Sequence, residues 1–514
     1  MNTITSIFEQ AQLSEAAYAN FWDAQLFQPL ALPEDIKAAL LAEQFSEAQA
    51  ADFVAHWKVV DHVPDLGSGF SATIFEHLDK SGNGTGQFNL AIRGSRQPVD
   101  FAADVALIAD QGIAVAQLVD LYNFWQRAQA PAGSRYTAAV LASGDSVNYV
   151  DSSHLSDVEM RTGSGAFTAA PSSINVSGHS LGGHLAMAFT RLFPDIDANA
   201  ISVNGLGFKT ENNTVNNLFA ALNGGSQFDA SQIQNVYGIN GPEFAAQNTF
   251  LLQQVGAYDG IFIESAGLDT HGGHSSSQMT DSLAVYNLFA IIDPSLNVET
   301  ITDILQAMPV DSDNTLEAAL AAVGGVYGQT YPVTETDRNG LYVNLYDLQA
   351  SLPGQATITS LTDTSTISLQ NQATNLAYLY ALLNLNPFVI EGVNYNNLNV
   401  DGYLDKQTYS EQFIEDRAAF LYYSMPDNTN PDPIRYEQRG ENGVAPFVVT
   451  DNQQSSSPSN YIFGTKEHDG ITGDQNEDHL YGMDFTSWKP TVFQNKKTPL
   501  TTISEDVKVT ALYF

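Results

Sequence analysis

The chain has 514 residues, 43% of them hydrophobic, which is enough for a large core and excludes a wholly disordered protein. Its 58 acidic and 20 basic side chains leave a formal net charge of −38, which disfavours long-range attraction to nucleic acids and to anionic membranes. The absence of cysteine excludes disulfides, thiolate metal sites and cysteine nucleophiles.

The first 60 residues predict a helical segment, as in the stretch from Pro33 to Ala51, which is rich in Ala, Leu, Glu and Gln. The N-terminus lacks the basic and apolar regions of a secretory signal peptide, so we expect none. No stretch approaches the ~18 apolar residues of a membrane span, so we expect no transmembrane segment.

From about Phe70 the pattern alternates between strands and helices. It predicts strands at 71–75, 88–92, 174–176, 200–204, 232–240 and 260–264, and helices at 117–129, 185–193 and 279–289. The polar, Ser/Gly-rich stretch 144–171 is interpreted as an excursion over the surface. This alternation predicts an α/β fold with a mostly parallel sheet and helices on both faces.

These patterns divide the chain into segments. A catalytic α/β domain is predicted for 61–295 and an accessory region for 296–455, after the helical segment 1–60. A Ser-rich linker at 453–460 leads into a repeat at 456–484, and a tail with several lysines follows at 485–514.

The repeat has a period of nine residues. Glycine, aspartate and an aliphatic residue recur in phase, at Gly464, Gly473 and Gly482, at Asp469 and Asp478, and at Ile471 and Leu480. Such a unit is typical of a calcium-binding parallel β-roll, in which glycines form turns and carboxylates bind Ca²⁺. Structural calcium is therefore expected at Gly464, Asp469, Gly473 and Asp478, although two units are few for a stable roll.

The strongest local signal is the sequence Gly-His-Ser-Leu-Gly at 178–182. It matches G-x-S-x-G, and a β-branched strand precedes it while a helix pattern follows. In this context the serine occupies a strained turn that raises its hydroxyl to the edge of the sheet. We therefore predict Ser180 as a nucleophile, with the backbone N–H of Leu181 directed at a developing oxyanion.

A general base is expected from a later loop. Among the downstream histidines, His184 is expected to pack within the helix after Ser180, and two others lie in the repeat. His271 and His274 remain, in a loop that follows the strand 260–264. We prefer His274 because it directly precedes a helix pattern, and we interpret His271 as a surface or supporting residue.

The third member of a triad is a carboxylate that orients the histidine. Glu243 follows the predicted strand 232–240 and is our choice. Glu264 and Asp269 lie at the same edge but one strand further along, whereas Asp259 is expected at the opposite edge. A solvated loop carboxylate is the competing interpretation of Glu243.

Two motifs together carry a family resemblance. Ala-Ile-Arg-Gly-Ser at 91–95, followed by Asp100-Phe101-Ala102-Ala103-Asp104, resembles the F-R-G-T/S … D-W-x-x-D stretch of class 3 lipases, and Gly-His-Ser-Leu-Gly-Gly resembles their nucleophile elbow. The resemblance implies an α/β-hydrolase fold and an oxyanion-hole role for Ser95. The chain departs from it at Asn240-Gly241-Pro242-Glu243, where such lipases often carry Asn-Asp-Pro-Val.

The nine-residue repeat adds a similarity to bacterial RTX lipases and phospholipases A1. That similarity implies a secreted protein exported by type I machinery, with lipid ester substrates and an acyl groove formed in part by the accessory region. We expect a triacylglycerol lipase or a phospholipase A1, with no cofactor in catalysis. Two alternatives stay open: a calcium-binding, adhesin-like protein on a non-catalytic hydrolase scaffold, and an esterase for polyesters or short-chain esters.

Overall fold

The computed structural model describes residues 3–96, 106, 108, 110–141, 155–167, 169–209, 213–222, 224–240, 246, 248, 252–264, 273–310, 312–334, 337–425, 428–430, 432–439, 446–451, 458–464, 478–482 and 491–495. The chain forms two compact units. The first comprises Met1–Asn287 with Asp337–Val343, and the second comprises Leu288–Thr336 with Asn344–Phe514.

The helices up to residue 292 are α1 (Ile4–Ala16), α2 (Pro33–Leu41), α3 (Glu47–His56), α4 (Val115–Gln129), α5 (Leu181–Leu192), α6 (Asn213–Ala221) and α7 (Ser276–Ile292). The strands of the first unit are β1 (Trp22–Asp23), β2 (Gln28–Pro29), β3 (Trp57–Val63), β4 (Ala72–Leu78), β5 (Gly84–Ile92), β6 (Arg135–Leu141), β7 (Leu155–Thr162), β8 (Ser173–His179), β9 (Asp197–Val203), β10 (Ile233–Gly238) and β11 (Ala257–Ile261).

A seven-stranded sheet organises the first unit, in the order β11-β10-β9-β8-β5-β4-β3. Five neighbouring strands of this sheet, β11, β10, β9, β8 and β5, are parallel. At the other side β4 is antiparallel to β5, and β3 is antiparallel to β4. The α/β fold with a mostly parallel sheet is therefore confirmed. Ile92 pairs with Gly178, and His179 pairs with Val203, so the carboxyl ends of β5, β8 and β9 meet at one edge.

Both faces of this sheet are covered because side chains alternate along each strand. Ile74 and Leu90 pack with α4 and α5 in one core, whereas Phe75 and Ala91 pack with α1, α2 and α3 in another. Helix α5 is buried along its whole length, as expected for an element enclosed by a sheet and further helices.

Three predicted elements differ from the structure. The stretch from Pro33 to Ala51 forms two helices, because Ser46 and Gln49 make a capping box that starts α3 anew. The predicted surface excursion contains strand β7, which pairs antiparallel with β6, a strand that ends just before the excursion begins. Strand β11 begins at Ala257, three residues before the predicted start, so Asp259 lies within the strand and not before it.

An ion cluster around the buried Glu15 in the first unit joins residues distant in sequence, and its other members, Arg338 and Asp281, are half-buried. Arg338 donates to Glu15 through Nη1 (2.6 Å) and Nη2 (2.9 Å), and its Nε donates to Asp281 at 2.8 Å. Burial raises the pKa of Asp281 to about 6, although Arg338 acts in the opposite direction. Two carboxylates thus share one guanidinium, and the charge of Glu15 adds to the effect of burial in raising the pKa of Asp281.

The remaining helices are α8 (Val298–Gln306), α9 (Thr315–Val326), α10 (Arg338–Ser351), α11 (Thr366–Gln372), α12 (Leu376–Asn384) and α13 (Glu411–Ser424). The remaining strands are β12 (Thr357–Ser360), β13 (Phe388–Glu391), β14 (Ile434–Gln438), β15 (Phe447–Asp451), β16 (Ser459–Phe463), β17 (Asp478–Gly482) and β18 (Thr491–Asn495). Single 3₁₀ turns occur at Ala230–Gln232, Ser312–Asn314, Tyr395–Leu398, Val400–Gly402 and Lys406–Thr408.

The second unit contains a five-stranded sheet in the order β15-β14-β16-β17-β18. Helix α13 packs aromatic side chains against it: Phe413 lies edge-on to Tyr481 at 5.1 Å between ring centroids, and Phe420 stacks on Tyr436 at 5.3 Å. Asp416 of the same helix accepts hydrogen bonds from His479 and Tyr481. Within the described part of the chain, no helix is long and apolar enough to span a bilayer.

The predicted repeat begins and ends on two strands of this sheet. Strands β16 and β17 are parallel, with Tyr461 opposite His479 and Ile462 opposite Leu480, so paired residues are 18 positions apart. Ile462 and Leu480 form a small buried cluster. Asp478 is buried, and its Oδ1 accepts from the amide N of Asn460 at 3.1 Å and from its Nδ2 at 2.8 Å. Asp469 and Gly473 lie outside the described residues.

Candidate active site

Ser180 occupies a sharp turn between β8 and α5. Its φ is +59° and its ψ is −123°, a conformation that L residues rarely adopt and that costs about 1–3 kcal/mol. Its backbone N–H donates to Val203 O of β9 at 2.9 Å. Its Oγ is buried and has no hydrogen-bond partner among the described residues. The turn therefore holds a strained, buried hydroxyl that contributes no hydrogen bond to the fold.

Close backbone packing explains the glycines around this serine. A Cβ on Gly182 would collide with the carbonyl oxygen of Ile92 at the end of β5, and one on Gly178 would collide with the backbone of Gly182. Helix α5 consequently starts directly against β5 and β8. Leu181 is the first residue of that helix, so its N–H has no intrahelical partner and remains available beside Ser180.

The loop after β5 lies against the same turn. A Cβ on Gly94 would come within 3.0 Å of Ser180 Cβ and within 2.5 Å of His179 O. Arg93 anchors this loop, because its guanidinium is buried, donates to Gly69 O at 3.0 Å and pairs with Asp65 at 2.9 Å. Ser95 follows Gly94 directly, so the loop predicted to form one side of an oxyanion hole contacts the predicted nucleophile.

His274 lies in the loop before α7 and beside the residue that precedes Ser180. Its ring centroid is 4.8 Å from that of His179, and its carbonyl oxygen accepts a hydrogen bond from His179 Nε2 at 2.5 Å. The structure thus places the His274 loop against His179, the residue that precedes the serine turn.

Three residues that the sequence analysis did not single out connect these loops, and two of them, His179 and Asn204, are buried while Tyr18 is half-buried. Tyr18, two residues beyond α1, is hydrogen-bonded through its hydroxyl to His179 Nδ1 at 2.8 Å and to the backbone of Gly94. Asn204 follows β9 with φ +46°; its Nδ2 donates to Gly273 O at 3.0 Å and its Oδ1 accepts from Gly238 N at 3.2 Å. His179 is the variable position of G-x-S-x-G, and nothing in the sequence around Tyr18 or Asn204 indicates this role.

Burial keeps His179 neutral. Removal from water, with a further contribution from the neighbouring His274, lowers the pKa of His179 to about 3. His184 is also buried and neutral, with a pKa of about 4: it accepts from Ala114 N at 3.3 Å and contacts the carbonyl oxygens of Leu206 and Gly207. His184 is thus placed within the fold and away from the loops of the candidate site.

The carboxylate candidates occupy different places. Asp259 lies within β11, where its Oδ2 accepts from Gln234 Nε2 at 2.9 Å. Glu264 is half-buried, three residues after the end of that strand. Glu243 and Asp269, together with His271, lie outside the described residues. Among the residues that the structure does describe, no group of three or more His, Asp or Glu side chains is arranged to hold a metal ion.

Comparisons with known proteins add few findings. No family model matches the chain, and no curated protein matches it. A crystal structure of Lip2 lipase from Yarrowia lipolytica is similar over 53% of this chain and 85% of its own, at 14% identity and a TM-score of 0.27. A crystal structure of M37 lipase is similar over 45% and 67%, at 16% identity and a TM-score of 0.21.

Proposed function

We propose that this chain is a serine carboxylic-ester hydrolase that acts on lipids through Ser180. The observation that carries the proposal is the conformation of this residue: a strained turn at the carboxyl edge of a parallel sheet, with a buried Oγ that has no partner in the described part of the chain. Strain and desolvation both oppose folding, so a reactive role gives the best physical account of them.

In the proposed reaction, Ser180 Oγ attacks the ester carbonyl carbon while His274 accepts the hydroxyl proton. The carbonyl π electrons move to oxygen, and the N–H of Leu181 and the Ser95 side of the opposite loop stabilise that oxyanion, each donor contributing about 2.7–4 kcal/mol. His274 then protonates the leaving alcohol. Water, deprotonated by His274, attacks the acyl-enzyme and releases the fatty acid together with Ser180.

We retain Glu243 as the proposed third member of the triad. It follows β10, whose carboxyl end lies beside that of β9 at the same edge as Ser180. Glu264 and Asp269 remain the alternatives. Asp259 is disfavoured because it lies within β11 and is hydrogen-bonded to Gln234. The lipid substrate class, whether triacylglycerol or phospholipid cleaved as by a phospholipase A1, is proposed from the resemblance of the two motifs to class 3 lipases.

Covalent labelling tests the proposal directly. An alkyl phosphonate ester that resembles the tetrahedral intermediate is expected to attach to Ser180, and peptide mass spectrometry identifies the modified residue. The same preparation is expected to release fatty acids from a triacylglycerol emulsion or from phosphatidylcholine, and positional analysis of the products separates the two activities. A folded protein that is neither labelled nor active on any of these esters would contradict the proposal.

We propose in addition that the repeat at 456–484 binds structural Ca²⁺. What supports this is the register of β16 and β17, in which paired residues are 18 positions apart, twice the nine-residue period. One complete turn of a parallel roll built from two such units advances the chain by this number of residues. Asp469 would supply oxygen ligands at a turn, whereas Asp478 is buried in β17 and its Oδ1 is already bonded to Asn460. Ile462 and Leu480 pack together as the thin core requires.

Removal of calcium is then expected to lower the melting temperature by about 5 °C, because a ligand at 100 times its Kd stabilises by about 2.7 kcal/mol. Differential scanning calorimetry with EDTA, with Ca²⁺ and with Mg²⁺ measures this shift, and kcat on a soluble ester should change little. D469N should reduce the calcium-dependent shift, whereas D474N, out of phase with the repeat, should not. Identical melting curves with EDTA and with Ca²⁺ would reject the calcium site.

Secretion by type I export machinery is a proposal that depends on the same repeat. Acidic calcium repeats gain their fold where free Ca²⁺ is abundant, so a chain that needs the ion would fold after export. The net charge of −38 fits an environment in which divalent cations neutralise carboxylates.

A further inference from the structure

We infer that His179 and Asn204 are positioning residues, which hold the backbone on either side of the His274 α-carbon and so fix its imidazole beside the serine turn, 4.8 Å from the ring of His179. His179 binds the carbonyl oxygen of His274 and Asn204 binds that of Gly273, so two consecutive carbonyls have buried side-chain partners. The inference deepens the proposed function and rests on it, because a positioned His274 matters only where Ser180 is a nucleophile.

The hydrogen-bond directions follow from chemistry. A carbonyl oxygen can only accept, so His179 Nε2 must carry the hydrogen in its bond to His274. Since His179 is neutral, its Nδ1 is then an acceptor, and the Tyr18 hydroxyl donates to it at 2.8 Å. The Tyr18 oxygen in turn accepts from the Gly94 N–H. The donors therefore point in one direction, from Gly94 through Tyr18 and His179 to His274.

This chain of hydrogen bonds joins the parts that the proposed reaction requires. Gly94 belongs to the oxyanion loop, His179 precedes the nucleophile, and His274 supplies the base. Each lies at a different place along the chain: 161 residues separate Tyr18 from His179, and 95 separate His179 from His274. The relative placement of three loops thus depends on the buried His179 and the half-buried Tyr18, whose side chains do not take part in proton transfer.

Asn204 contributes an independent anchor from the next strand. It is fully buried and has a positive φ, which asparagine tolerates better than most residues. Its amide uses both ends: Nδ2 binds Gly273 O, and Oδ1 binds the N–H of Gly238 at the end of β10. The carboxyl ends of β9 and β10 are in this way tied to the His274 loop.

Buried histidines can also serve packing alone, and His184 provides the matched control. It lies four residues after Ser180, is as buried as His179, and contacts two backbone carbonyl oxygens, but those belong to Leu206 and Gly207. Loss of either histidine removes similar hydrogen bonds from the interior. Only the loss of His179 should change the geometry of His274.

The experiment compares H179L, H179Q and H184L with the wild-type chain, using a soluble ester and active-site titration with the phosphonate. H179L should lower kcat per titrated site by about 100-fold with little change in KM, the effect expected of a displacement near 1 Å. H179Q keeps an N–H donor near the position of Nε2 and should recover most of the loss. H184L should lower the melting temperature but leave kcat per titrated site unchanged.

Hydrogen exchange read by mass spectrometry over residues 273–283 provides a readout that needs no activity. H179L and N204D should accelerate exchange in this segment, whereas H184L should not. Unchanged exchange in H179L, or equal losses of kcat in H179L and H184L, would overturn the positioning role even if Ser180 proves to be the nucleophile. A wild-type chain that is inert to esters and to the phosphonate would instead reject the proposed function, and exchange would still decide the anchoring.

Discussion

S180A is expected to lower kcat for ester hydrolysis by at least about 10⁴-fold, with KM and the melting temperature nearly unchanged. The hydroxyl makes no hydrogen bond to described residues, so its removal leaves no buried group without a partner and costs the fold little. Initial rates on a nitrophenyl ester, together with thermal unfolding of both proteins, measure the two effects.

S177A is the matched control for this variant. Ser177 lies in β8, the strand that leads into the serine turn, is fully buried, and donates through Oγ to Asn89 at 3.1 Å, so its loss should reduce stability by about 1 kcal/mol while kcat is retained. If S180A kept the wild-type rate, another group would have to be the nucleophile, and the strain at residue 180 would lose its explanation.

R338M is expected to destabilise the first unit by about 3–5 kcal/mol and to lower its melting temperature by about 10 °C. The substitution leaves the buried Glu15 and the half-buried Asp281 side by side without their shared cation. Two like charges in a desolvated site repel, and each also lacks the hydrogen bonds that the guanidinium supplies. Urea unfolding at pH 8 measures the change in free energy.

Lower pH and removal of the two carboxylate charges should each reduce the stability that R338M loses. The pKa of Asp281 is already raised to about 6 by burial, so protonation at pH 5 neutralises one of the two carboxylates and R338M should lose less stability there than at pH 8. The triple variant E15Q/D281N/R338M should regain part of the stability. K37M, which removes the exposed pair with Glu47, should cost at most about 1 kcal/mol. Equal unfolding of R338M and the wild-type chain at pH 8 would contradict the argument.

The serine turn could be predicted from sequence because its determinants are contiguous. A β-branched strand, two glycines around the serine and an apolar helix occupy about twenty successive residues, and each glycine is required by a contact within that unit or with β5. The alternation of strands and helices could likewise be predicted, because the spacing of apolar residues within each element shows which of its side chains are buried. The α/β class with a mostly parallel sheet follows from such local signals.

What could not be predicted depends on contacts between distant residues. The polar stretch that contains β7 shows little of the hydrophobic alternation by which a strand is predicted. It forms a strand because it pairs with β6, and that pairing is not visible in its own residues. Arg338 lies in a region that shows no clear pattern, yet it binds a glutamate 323 residues earlier. Tyr18 follows an ordinary amphipathic helix, and only the fold brings its hydroxyl to His179.

The contribution of Tyr18 has a consequence for biosynthesis. Tyr18 leaves the ribosome early, but its hydroxyl has no hydrogen-bond partner in the active-site loops until β8 has been made, because His179 is 161 positions downstream. His179 must in turn wait for His274, which follows 95 positions later. Such closures are slow to form, so the loops around Ser180 should reach their native arrangement among the last steps of folding. A nascent chain halted before residue 273 would carry the serine turn but would lack the proposed base, so it would be inactive in the proposed reaction.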